Sequence, residues 1–107
     1  MPVGGPMTEA MYYILLVLTV PSHGYQIMAS VPRASQGRVH MGPGTLYGVL
    51  TRMETERYIE IVDDDGRRKT YAITETGRAA LRAETERLQA MLEDQTRWRE
   101  DTKCLTE

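Results

Sequence analysis

Arg67-Arg68-Lys69 is the only run of three basic residues in the chain, and such a cluster is suited to gripping anionic oxygens, those of phosphate above all. A second polar set lies upstream. Thr45, Tyr47, Thr51 and Arg52 fall with Gly48 on the outward side of a helical stretch, a mixture that can hydrogen-bond or stack and that is unusual for a merely solvated surface. Thr45 and Tyr47 near the start of that stretch can reach base edges or phosphates, and Arg52 one to two turns on can hold a phosphate. Tyr25, beside Gly24 at another helix start, is placed either for a phosphate contact, because helix N-termini attract anions, or as a core aromatic. Arg67 to Lys69 could also do no more than balance Asp63, Asp64 and Asp65 across a turn.

Other chemistries are poorly served. His23 and His40 are far apart, and neither sits in a His-x-x-x-His pair or beside a cysteine. Cys104 is the only cysteine, so it makes no intrachain disulfide and no cysteine zinc site. Asp63 to Asp65 lacks the spaced acceptors of a calcium loop. Gly42-x-Gly44 has Tyr47 where a dinucleotide fingerprint needs its third glycine, and no strand precedes it. No triad, carboxylate pair or phosphate loop is visible, so the expectation is no enzyme, no metal and no cofactor.

These residues must be positioned by a small scaffold. At 107 residues the chain holds one domain with an appended helix, and its 41% hydrophobic and 26% charged content suits a globular fold, not a disordered one. The longest apolar run, Ala10 to Leu18, is about half the roughly 20 residues of a membrane span, and no Lys or Arg precedes it, so neither membrane span nor secretory signal is expected and the chain reads as cytoplasmic. A net charge of −2 gives no global attraction to nucleic acid, so DNA binding would have to come from local clusters.

Residues 1–7 read as a loose arm. Met11, Ile14, Leu15 and Leu18 then recur at helical spacing after Thr8, predicting a centrally buried first helix that ends by Pro21. Ile27, Met28 and Val31 predict a shorter second helix that should stop or kink near Val31 because of Pro32. Gly42 as N-cap and Pro43 at the first helical position start a third helix, carried by Leu46, Val49, Leu50 and Met53 to about Arg57. Ile59 and Ile61 alternate as Tyr71 and Ile73 do, and Asp65-Gly66 lies between them, which predicts a two-stranded hairpin. On its second strand Arg67 and Lys69 would share one face and Arg68 the other. Thr74 caps a last helix running to about Lys103, with Leu88, Met91, Gln95, Trp98, Thr102 and Leu105 stepping by threes and fours in a coiled-coil-like stripe.

The fold class is therefore mainly α with a small β-hairpin: a winged helix-turn-helix at residues 8–74 plus a long C-terminal dimerisation helix at 75–107. In that architecture the third helix lies in the major groove and the wing reaches phosphates or the minor groove. The stretch Gly42-Pro43-Gly44-Thr45-Leu46-Tyr47 with Leu50, Arg52, Met53 and Glu54 resembles the signature of the PadR family of bacterial transcription regulators. His23-Gly24-Tyr25 with Ile27, Arg67-Arg68-Lys69 with Tyr71, and Thr74-Glu75-Thr76-Gly77-Arg78 with Leu81 are similar to three further parts of it. The resemblance covers Thr8 to about Leu92 and implies a homodimeric repressor on a palindromic operator in double-stranded DNA, its terminal helices pairing the subunits. It also implies that a small aromatic effector can sit between them, as in some members. The chain departs from the family pattern at Pro32, at Arg57, where a glycine commonly closes the third helix, and at Asp63 to Asp65, which set negative charge beside the wing's cations.

Met7, Met11, Leu88, Met91 and Trp98 are the apolar and aromatic residues left for an interface or effector pocket. Trp98 is either a dimer-core residue or the floor of a flat-ligand site with Met11 or Tyr13. Two readings stay open for the whole: a DNA-binding dimeric repressor, and a winged-helix protein-interaction module without DNA affinity, which the acidic pI of about 5.7 and the acidic turn would suit.

Overall fold

A computed structural model of the chain describes residues 7–106, with side chains from 7 to 103. The expected arm lies outside the described residues except for Met7, as do the side chains of Cys104 and Leu105. The elements follow in the order α1 (Glu9–Val17), β1 (Ser22–His23), α2 (Gly24–Ala34), α3 (Pro43–Thr55), β2 (Ile59–Asp64), β3 (Lys69–Ile73) and α4 (Glu75–Thr106).

The apolar periodicity becomes one core. Ile14, Leu15 and Leu18 from α1 and its cap, Ile27 and Val31 from α2, and Leu46, Leu50 and Met53 from α3 are all fully buried, closed below by Ile59, Tyr71 and Ile73 of the sheet. Each helix starts where its local chemistry says it should. Thr8 Oγ1 accepts from Met11 N at 3.1 Å at the head of α1, and Gly42 in extended geometry precedes Pro43 at the head of α3.

Three expectations need correction. α2 is not stopped by Pro32 but runs on to Ala34. Only two helical residues follow the proline, so the missing N–H removes a single bond in the last turn, and Val31 stays buried. The sheet has three strands in the order β1-β3-β2, because Ser22 and His23 pair with Tyr71 and Thr70 on the free edge of the hairpin. Arg67 and Arg68 lie in the turn before β3, so strand alternation does not dispose them.

Within the hairpin Ile59 faces Ile73 and Ile61 faces Tyr71, as the alternation requires, with a bulge at Val62 before Asp63 pairs with Thr70. The end of α3 is closed as a glycine would close it, although the residue is Arg57. Its φ is +67°, its N–H donates to Glu54 O at 3.0 Å, and Tyr58 N donates to Met53 O at 3.0 Å, the paired bonds of a Schellman cap.

Thr74 ties that cap to α4. Its Oγ1 lies 2.7 Å from Arg57 O and 3.0 Å from Tyr58 O, and it accepts from Gly77 N at 2.9 Å. The approach is so close that a Cβ on Gly77 would stand 2.1 Å from Tyr58 O. The first turns of α4 then pack on the domain: Leu81 is partly buried, Glu84 is buried and paired with Arg87, and the hydroxyls of Tyr12 and Thr85 are 2.8 Å apart. Beyond them α4 projects, and Leu88, Met91, Leu92 and Trp98 are 41 to 65% exposed, in a molecule 66 × 31 × 20 Å. Among the described residues no helix is long and apolar enough to cross a membrane.

Candidate nucleic-acid interface

A groove of about 660 Å³ opens between the start of α2, the outward face of α3 and the wing, lined by His23, Gly24, Tyr25, Tyr47, Thr51, Arg67, Arg68, Lys69 and Tyr71. It unites six of the eight residues expected to contact nucleic acid: Tyr25, Tyr47, Thr51, Arg67, Arg68 and Lys69. Thr45 and Arg52 lie outside that lining. Thr45 is exposed at the head of α3, and Arg52 stands 3.9 Å from Glu56 one turn along.

The helices set the groove's shape. Tyr25 is 74% exposed, which removes the core-aromatic alternative, and Tyr47 is 46% exposed. The Tyr47 hydroxyl crosses the first residue of α2, where a Cβ on Gly24 would come within 2.2 Å of it. Gly24 thus makes room for the ring. Thr51 Oγ1 donates to Tyr47 O at 2.9 Å, so that hydroxyl proton is already engaged and Thr51 offers mainly acceptor lone pairs.

The acidic turn has a structural use. Asp64 Oδ1 accepts from Gly66 N at 3.0 Å, and Asp65 Oδ1 accepts from Arg68 N at 2.8 Å and Arg67 N at 2.9 Å. Those two N–H groups, Arg68's first, hold the Asp65 carboxyl below its usual range. Gly66 supplies the positive φ, +88°. Among the described residues Arg67, Arg68 and Lys69 make no ion pair, although the Arg68 charge also favours the ionised Asp65 carboxylate. Arg68 Nη1 instead lies 3.3 Å from His23 Nε2 on β1, a hydrogen bond the neutral ring accepts.

The groove therefore carries three cationic side chains and no carboxylate among its lining residues, in a chain whose net charge is −2. Local concentration of one sign against the global balance is the electrostatic footprint of a polyanion site. His23 and Tyr71 also line it and were not assigned to the site from sequence. Only the pairing of β1 with β3 brings His23 there, and alternation marks Tyr71 simply as an inward strand residue.

The interface candidates divide. Met11 belongs to the core, at 7% exposure, and Met7 is partly buried against it. Tyr13 is engaged by Arg38, whose Nη2 donates to its hydroxyl at 2.9 Å and whose guanidinium sits 5.9 Å from its ring centre. Trp98 lies thirteen residues beyond Thr85, the point where α4 meets Tyr12, or about 20 Å along the helix. Within one chain, then, Met11, Tyr13 and Trp98 do not build a common pocket, whereas Leu88, Met91 and Trp98 remain together on the projecting part of α4.

Three packed helices, a wing beside the third and a cationic groove between them define a winged helix-turn-helix regulator. Residues 14–83 match the Transcriptional regulator PadR-like family, and the chain belongs to it. Over 78 residues it is 30% identical to the transcriptional regulator YqjI of Escherichia coli, covering 73% of this chain and 37% of that protein. Over 64 residues it is 38% identical to an uncharacterized 37.1 kDa protein in transposon TN4556 of Streptomyces fradiae, covering 60% of this chain and 18% of that one. The matched region thus spans under two-fifths of either relative. A PadR family transcriptional regulator from Eggerthella lenta superposes with a TM-score of 0.61 at 30% identity, over 79% of this chain and 71% of that one. A transcriptional regulator from Clostridium thermocellum, at 23% identity and a TM-score of 0.69 over 82% of this chain and 87% of that one, shares the fold.

Proposed function

We propose that the protein is a homodimeric repressor that holds a palindromic operator through α3 and the wing, with residues 8–74 as the DNA-binding unit and α4 joining the subunits. The observation that carries this is the groove, where Arg67, Arg68 and Lys69 meet Tyr25, Tyr47 and Thr51 without an intervening carboxylate. Thr45 and Tyr47 read base edges and Arg52 holds backbone on the same helix face. The dimer rests on α4. At 1.5 Å per residue its 32 residues extend about 48 Å, and no described residue of the chain covers the exposed Leu88, Met91 and Trp98. A twofold axis through paired α4 helices presents two copies of α3 to successive major-groove turns about 34 Å apart.

An aromatic effector between subunits is the finest part of the reading, supported by the exposed Trp98 and by Met91 two turns before it on α4. A planar ligand that releases the operator from there quenches Trp98, the only tryptophan. The test of the whole is a gel-shift titration against the promoter upstream of the gene, with sedimentation of the intact chain and of a chain truncated before Leu88. The intact chain should give a sequence-selective shift as a dimer, and the truncated one a folded monomer with little affinity. No selective shift at low salt would leave the protein-interaction module as the reading, and a dimeric truncated chain would remove α4's role.

A further inference from the structure

Tyr71 sits on the central strand, paired with Ile61 on one side and Ser22 on the other, and is 6% exposed. A residue so placed would ordinarily be an apolar filler. Its hydroxyl nevertheless has no hydrogen-bond partner among the described residues, and yet it is not sealed in. The only buried side-chain oxygen left unpaired there is Glu56 Oε1, so the Tyr71 hydroxyl reaches solvent, and the opening Tyr71 lines is the groove. The hydroxyl of a side chain nine-tenths buried therefore stands without a partner among the described residues, at a cleft lined by three cations. The first turn of α2, on the same cleft, has no acidic residue to offset its positive end.

We infer that Tyr71 is a DNA-contacting residue, its phenolic hydroxyl donating to a backbone phosphate oxygen drawn into the groove between α2 and the wing. This rests on the DNA-binding reading and adds to it a neutral donor below the charged rim. A phosphate oxygen is the acceptor that fits, because it protrudes from the duplex and can enter a recess, and because Arg68, Lys69 and the head of α2 favour its charge. Burial raises the Tyr71 pKa, and the nearby Glu54 and Asp64 carboxylates act in the same direction, so the phenol keeps its proton and remains a donor. Neither carboxylate lines the groove.

A neutral donor leaves a signature that a cation does not. Removing it weakens DNA binding without changing the number of counterions released, so the salt dependence keeps its slope and moves as a whole. Tyr71→Phe deletes only the oxygen, and since that oxygen has no partner among the described residues the melting temperature should hold. The experiment is anisotropy titration of a fluorescent 30-base-pair duplex of mixed sequence by wild type, Tyr71→Phe and Arg68→Ala at four salt concentrations, with thermal melting of each. Tyr71→Phe should bind about tenfold more weakly at every salt concentration with the wild-type slope, while Arg68→Ala should flatten the slope by about one ion. Wild-type affinity in Tyr71→Phe, a changed slope, or a loss accompanied by lowered melting overturns the inference and leaves the DNA-binding reading standing. A wild-type chain that binds no duplex at low salt overturns both.

Discussion

Thr74 is the side chain whose loss should be felt furthest from where it sits. Its hydroxyl caps α4 through Gly77 N and at the same time faces the carbonyls of Arg57 and Tyr58 at the close of α3. Thr74→Val keeps the shape and removes both roles. The cap contributes about 1 kcal/mol and the hydrogen bond to the α3 terminus about another. One hydroxyl proton cannot serve two carbonyls fully, and Tyr58 O retains Thr74 N at 3.1 Å, so the sum stays near 2 kcal/mol. For a chain of this size that corresponds to about 8 °C in melting temperature. The assay is urea unfolding followed by circular dichroism at one fixed protomer concentration, because association shifts apparent stability. Thr74→Ser, which restores the oxygen, should recover most of the difference. A Thr74→Val loss below about 0.5 kcal/mol, or a Ser variant no better than Val, would refute the double role.

Arg68→Ala or Lys69→Ala should weaken selective and non-selective DNA binding alike and lower the salt slope by about one ion each, whereas Tyr47→Ala should weaken selective binding more; equal specificity ratios would contradict that division. Gly24→Ala puts a methyl where the Tyr47 hydroxyl lies. Because a ring tip can swing aside, stability should change by less than about 1 kcal/mol while operator selectivity falls, and unchanged selectivity would show that the ring's position is immaterial. The Asp65 carboxyl, depressed by the Arg68 and Arg67 N–H groups, supports the wing turn fully above the ordinary aspartate value of 3.8 and loses that support as pH falls through its lowered value. The amide proton shifts of Arg67 and Arg68 should accordingly titrate together with one midpoint below 3.8; a higher midpoint would mean that the turn does not depend on this carboxylate.

What could be read in the sequence was what local chemistry decides. Gly42-Pro43, Asp65-Gly66 and Thr74 each specify a start or a turn within four residues, and α3, the wing and α4 begin where they say. The two-residue β1 could not be read that way, since Ser22 and His23 become a strand only by pairing with residues some fifty positions on. The effect of Pro32 depends on how much helix follows it, which the local sequence does not show, and here that is two residues. Arg57 carries no local sign of a left-handed backbone. Tertiary contacts impose it, with Thr74 holding its carbonyl from the far side of the hairpin. The groove was half legible: the cationic run and the polar face of α3 declared themselves, but their convergence with Tyr71 and His23 is a property of the sheet.

The junction at Thr74 is also a fulcrum. The first turns of α4 are held to the domain from Thr74 as far as the contact of Thr85 with Tyr12, so the free arm from Thr85 to Thr106 measures about 32 Å. A rotation of about six degrees of that arm sweeps its tip through about 3.4 Å, the rise of one base pair along a strand. In the proposed dimer, with the two arms clasped, the rotation instead moves the far end of α3, about 20 Å from Thr74, by about 2 Å in each subunit, or about 4 Å between the two half-sites. Angular play that would be negligible in a core contact becomes a choice between operators whose half-sites differ in spacing by a single base pair.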